Sequence, residues 1–92
     1  MERTLNHSEQ GFKNLCAVAS ILTAVSKNGF SYRVRDTYLD YGQDWMWTTI
    51  IDSRDVQILC PRDWEKVVLA TTADELLDAV KSIMNDKYFG DR

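Results

Sequence analysis

Asp36, Asp40 and Asp44 recur at every fourth position of the segment DTYLDYGQDWMW, residues 36–47, which also carries Tyr38, Tyr41, Trp45 and Trp47 and no cation. Carboxylates repeated among aromatics can hold a metal ion, work as an acid and base pair, or recognise a basic surface, and each use demands its own geometry. A calcium loop of the EF-hand kind needs oxygen ligands at alternate positions, a central glycine and a terminal glutamate; the segment lacks that pattern. In an extended chain, side chains four apart share a face but sit about 13 Å from one another, too far for one ion. Two acids for glycoside hydrolysis must stand about 5–10 Å apart across a cleft. Asp40 and Asp44 could meet that spacing across a hairpin, but 92 residues leave little wall for a sugar cleft.

Other catalytic chemistry finds even less material. His7 is the only histidine and lies near the N-terminus, so no base is paired with a serine or cysteine nucleophile. Cys16 and Cys60 lie inside apolar stretches without CxxC spacing, which predicts buried, reduced thiols rather than a disulfide or a metal site. Gly11, Gly29, Gly42 and Gly90 are isolated, so no phosphate-cradling loop forms. The expectation is a non-enzymatic protein with no catalytic residue, no metal and no cofactor.

The elements that must carry the segment are those of a single domain, residues 1–92. Apolar residues make up 45% and proline one position, a composition that folds. The start MERTLNHSEQ has no secretory character, and no apolar run approaches a membrane span, which predicts a cytoplasmic protein without membrane attachment. The net charge of −3 is unevenly spread. Residues 1–35 hold five cations and two acids, a balance of +3; residues 36–92 hold six cations and twelve acids, a balance of −6. Residues 36–55 alone carry five aspartates against Arg54, a charge that repels phosphates and attracts basic surfaces.

Asn6 and Glu9 form a capping-box pattern, and a helix from about residue 7 or 8 presents Phe12, Leu15, Cys16, Ala19 and Leu22, widened by Val18, Ile21 and Val25, until Asn28-Gly29 stops it. From Phe30 the period becomes two: Phe30, Tyr32 and Val34 alternate with Ser31, Arg33 and Arg35. A turn over residues 41–44, a strand over 45–51 with Trp45 and Trp47 towards the core, a turn over 52–55 and a third strand over 56–60 follow. Pro61 marks a break, and residues 66–70 suit either a fourth strand or the approach to the last helix. That helix starts at the capping box Thr72 to Glu75 and carries the stripe Leu76, Leu77, Val80, Ile83 and Met84, with Gly90 beyond its end. The order α-β-β-β-(β)-α predicts an α+β two-layer fold: an antiparallel meander of three or four strands under N- and C-terminal helices.

The same order resembles the double-stranded RNA-binding domain, but the last helix opens with Asp74, Glu75 and Asp78 where that family presents cations, so no direct nucleic-acid binding is expected. Tyrosines with carboxylates suit a protein interface, and Asp36, Tyr38, Asp40, Tyr41 and Asp44 are the predicted protein-binding residues. In length, acidity and this Asp/Tyr-rich hairpin the chain resembles small phage-encoded inhibitors of bacterial defence of the anti-CRISPR type, and immunity proteins that neutralise toxic nucleases. The resemblance implies a stoichiometric inhibitor in the host bacterial cytoplasm. Its partner would be a larger basic protein or ribonucleoprotein complex, whose lysines and arginines are occupied by carboxylates in place of nucleic acid. Self-association of a structural or regulatory protein is the alternative of a different class.

Overall fold

The first helix, α1 (Glu9–Val25), buries Gly11, Asn14, Leu15, Val18, Ala19 and Leu22, in a computed structural model that describes residues 3–4, 9–38 and 45–86. This stripe is turned from the expected one. Phe12 and Val25 are each 44% exposed, and Cys16, expected to be buried, is exposed. The reason is Asn14, whose amide must be bonded if it is to be buried. Its Nδ2 donates to the carbonyls of Val67 at 2.9 Å and Ala70 at 2.8 Å, and its Oδ1 accepts from Gln10 Nε2 at 3.0 Å. The helix ends at Val25, with Ser26 N still donating to Leu22 O, four residues before the expected stop; Gly29, with φ of +83°, takes a left-handed conformation in the bend that follows. Asn6, half of the proposed capping box, lies outside the described residues.

Strands β2 (Tyr32–Tyr38) and β3 (Trp45–Asp52) pair antiparallel, from Tyr32 opposite Asp52 to Tyr38 opposite Met46. Alternation places buried Tyr32 and half-buried Val34 towards the core, with Arg33 and Arg35 exposed on the other face. The strand runs on through Asp36. The expected turn over residues 41–44 lies outside the described residues. A two-residue strand, β1 (Arg3–Thr4), runs parallel along the other side of β3 at Trp45 and Met46.

The meander of three or four antiparallel strands does not form. Among the described residues the antiparallel pairing involves two strands, and apart from β1 the order is α-β-β-α-α. Residues 56–60, expected as a third strand, make only an isolated bridge between Gln57 and Ile51, with Asp52 N donating to Val56 O and Ile58 N to Ile50 O. The chain then leaves the sheet, because Pro61 occupies the first turn of a second helix, α2 (Pro61–Leu69). Proline there loses no helical hydrogen bond, and Asp63 suits the positive helix start. Trp64, Val67 and Val68, three and four apart, form the buried stripe of α2. Residues 66–70 are thus its end, not a fourth strand.

The third helix, α3 (Ala73–Met84), carries the expected capping box: Thr72 Oγ1 accepts from Glu75 N at 3.2 Å, and Glu75 Oε1 accepts from Thr72 N at 3.1 Å. It buries Ala79, Val80 and Ile83, while Leu77 and Met84 from the expected stripe are 50% and 41% exposed. The narrower stripe follows from its setting, since α3 packs chiefly on α1 and α2. Leu15, Val18, Leu22, Ile50, Ile58, Leu59, Val67, Val80 and Ile83 lie at the centre of the core.

Replacing Asn14 with leucine keeps the branched shape, with somewhat more bulk, but takes the Asn14 donor from the buried Ala70 carbonyl and one of two donors from the Val67 carbonyl, which keeps the Ala70 amide at 3.3 Å. Asn14→Leu is expected to lower the unfolding free energy by about 2 kcal/mol or more, measured by urea denaturation. A change below about 0.5 kcal/mol would show that the carbonyls find other partners.

Candidate functional site

Of the five predicted binding residues, the structure places Asp36 with its side chain and Tyr38 with its backbone. Asp36 is exposed on β2, and its Oδ1 accepts from the hydroxyl of its cross-strand partner Thr48 at 2.6 Å. Tyr38 ends β2; its side chain, with Asp40, Tyr41 and Asp44, lies outside the described residues, as does the side chain of Trp45. Trp47 packs against the core with its ring edge-on to Trp64, 4.7 Å between centroids at 78°. Trp64 is buried, and its Nε1 donates to Thr48 O at 2.8 Å. One threonine therefore ties Asp36 on one strand to the indole of α2.

The two cations of β2 are not available as a phosphate-binding strip. Arg33 and Arg35 converge on Asp55 Oδ1, at 2.5 and 3.2 Å. Asp55 reaches them from a left-handed backbone, φ +66°, a conformation aspartate tolerates better than most residues. Beside it, buried Asp52 organises the turn: its Oδ1 accepts from the amides of Arg54 at 2.8 Å and Val56 at 3.1 Å, and its Oδ2 from the Arg54 guanidinium. Burial pushes this carboxyl upwards, but the Arg54 side-chain hydrogen bond, the two amides and the Arg54 charge outweigh burial and hold it below its ordinary 3.8. The same guanidinium lies 3.9 Å over the Phe30 ring.

A second acidic feature escapes the strand reading of residues 66–70. Between α2 and α3 lies an open groove of about 240 Å³, lined by Glu65, Lys66, Leu69, Ala70, Glu75 and Asp78. Leu69 is 67% exposed. Hydrogen bonds from the Thr71 amide and hydroxyl, then from Thr72, hold the Glu75 carboxyl below the usual 4.5. Lys66 Nζ meets Asp78 Oδ2 at 3.4 Å. The signal that could have located α2, and with it this groove, is Pro61 followed by Asp63 and by apolar residues at 64, 67 and 68.

Cys60, at the start of α2, is only partly buried. Burial pushes its thiol up, and the Asp63 and Asp86 carboxylates add to this against the Asp63 amide. No helix among the described residues is long and apolar enough to cross a membrane. No protein family, curated protein or solved structure matches the chain, so its function has to be argued from geometry.

Because the Asp52 carboxyl is lowered in the folded state, it contributes stability above its unfolded value, and that contribution is lost as pH falls from about 4 through the folded value. Asp52→Asn is expected to be less stable at pH 7 by about 1–3 kcal/mol and to show a shallower loss of stability in acid. Urea melts at pH 7 and at a series of pH values below about 4 check both. Equal acid slopes in the two proteins would remove the assignment.

Proposed function

We propose that the chain is a non-enzymatic binding protein that engages a basic surface of a larger protein or ribonucleoprotein complex handling nucleic acid in bacteria, as an inhibitor of the anti-CRISPR type. The observation that carries this reading is the α2–α3 groove, where exposed Leu69 sits among Glu65, Glu75 and Asp78. Lysine and arginine carry a charged head on an apolar stem. An apolar side chain set among three carboxylates and Lys66 suits both parts of such a residue, and the net negative charge of the lining speeds encounter with a basic partner. Nucleic acid itself is disfavoured, because Arg33 and Arg35 are engaged by Asp55.

Asp36, Tyr38, Asp40, Tyr41 and Asp44 form a second proposed contact at the hairpin. Its carboxylates would extend the acidic surface, and its tyrosines would supply contact area. Blocking follows from the chemistry: a partner's cations held by carboxylates are withdrawn from phosphates.

The test is capture of basic nucleic-acid-binding complexes from bacterial lysates, followed by affinity measurements on the captured partner. Reversing Glu65 and Asp78 together to lysine removes only exposed charges and a surface ion pair of small worth. That double variant is expected to stay folded by circular dichroism and to bind about tenfold more weakly or worse, with a flatter salt dependence. An Asp40→Lys, Asp44→Lys double variant measures the share of the hairpin. Undiminished affinity in both folded variants, or a partner that takes up nucleic acid equally well with the protein bound, removes the proposal.

A further inference from the structure

Cys60, Asp63 and Asp86 bring a thiol sulfur and two carboxylate oxygens within 4.8 Å of one another. Their convergence is a product of the helix packing. Cys60 is the N-cap of α2, with its Sγ 3.5 Å from the amide of Asp63. Asp86 follows Asn85, the C-cap of α3, and its own amide donates to Ile83 O at 3.0 Å. The start of one helix and the end of the next thus deliver three potential ligands to one point.

Asp63 gives this cluster its meaning. The residue is 0% exposed. Its Oδ1 accepts from Ser82 Oγ at 2.7 Å and lies 3.8 Å from Nε of the largely exposed Arg62. Its Oδ2 is buried and, among the described residues, has no hydrogen-bond partner. A buried carboxylate oxygen is strongly disfavoured unless a donor or a cation meets it. The cluster neighbours do not supply a strong donor, since a carboxylate has none and a thiol is a weak one. What the three groups share is the ability to give electron pairs to a positive ion.

We propose that Cys60, Asp63 and Asp86 form a binding site for a divalent transition-metal ion, with zinc as the best match. The sulfur disfavours magnesium and calcium, which take oxygen ligands, and the two carboxylates disfavour copper(I), which takes soft ones. Zinc accepts both, at about 2.3 Å to sulfur and about 2.0–2.2 Å to oxygen. Tetrahedral ligands at those lengths stand about 3.3–3.7 Å apart, so the cluster has to contract by about 1 Å. Cys60 and Asp86 are only partly buried and can make that adjustment by side-chain rotation. Three protein ligands leave the fourth position for water. The ion would staple the start of α2 to the end of α3; the carbonyl end of α3 favours its positive charge and the amide end of α2 opposes it, so the charges of the three ligands have to carry the binding.

The site shares no residue with the groove between α2 and α3, so binding there stands or falls separately from the partner proposal. The reduced full-length chain is titrated with cobalt(II), then with zinc(II). The expected result is one equivalent bound, a thiolate-to-cobalt charge-transfer absorption that zinc abolishes, and a melting temperature that rises with free zinc. Cys60→Ser keeps a good helix N-cap and Asp86→Asn lies beyond the end of α3, so both variants should fold. Each is expected to lose at least about tenfold in zinc affinity, whereas Cys16→Ser, at the exposed second thiol, binds as the parent does. Absence of the charge-transfer band, its survival in Cys60→Ser, or unchanged zinc affinity in Asp86→Asn overturns the proposal.

Discussion

Strand β3 has a full-length neighbour on one side only, and the backbone groups on its other edge have to be paired without a second such strand. Three different devices do this along its length. At Trp45 and Met46 the two residues of β1 pair with it. At Thr48 the indole of Trp64 donates to the carbonyl. At Ile50 and Asp52 the returning chain supplies Ile58 N and Val56 O. Once an indole fills the middle of that edge, the chain cannot continue along it as a strand, and the helix bearing Trp64 is fixed beside the sheet.

The position of α2 then determines most of what surrounds it. Its last carbonyls, from Val67 and Ala70, turn towards α1, which answers with Asn14 and rotates its buried stripe to do so. Its first turn brings Cys60 and Asp63 to the end of α3, and its other flank leaves Leu69 open beside Glu75 and Asp78. The remaining edge of the sheet, that of β2, is guarded in another way. Thr23 Oγ1 accepts from Tyr32 N at 2.9 Å, and Arg33 and Arg35 place charge along the strand, which discourages edge-to-edge pairing.

Local signals in the sequence were strong where the chain itself satisfies its backbone. The capping box at Thr72 and Glu75 and the alternation from Tyr32 to Arg35 report contacts within a few residues, and both appear in the structure; Gly29 is left-handed as expected, but in the bend beyond the end of α1 and not at it. The third strand failed for a physical reason. Residues 56–60 have the apolar content of a strand and approach β3 in the expected direction, but Pro61 and Asp63 start a helix before a ladder can form. Tertiary contacts were invisible for the same reason: nothing local in Asn14 announces two carbonyls more than fifty positions away, and Cys60 and Asp86 meet only because α2 and α3 pack. Of the predicted binding residues, Asp36 proved to be exposed and tied to Thr48, a contact that strand register sets and spacing alone does not.

The uneven charge of the sequence resolves into two parts with different consequences. The cations near its middle are answered by acids of the following turn: Arg33 and Arg35 by Asp55, and Arg54 by Asp52. Those pairs hold the end of the hairpin and leave three cations against two acids, a net charge of +1. Residues 60–86 contain six acids against three cations, and here the balance is not closed by pairing within the segment. Acids in such excess repel one another, a cost that a binding partner or a cation can relieve. The helical end of the molecule therefore carries the unspent electrostatic demand, although the aspartates of the hairpin are more conspicuous in the sequence.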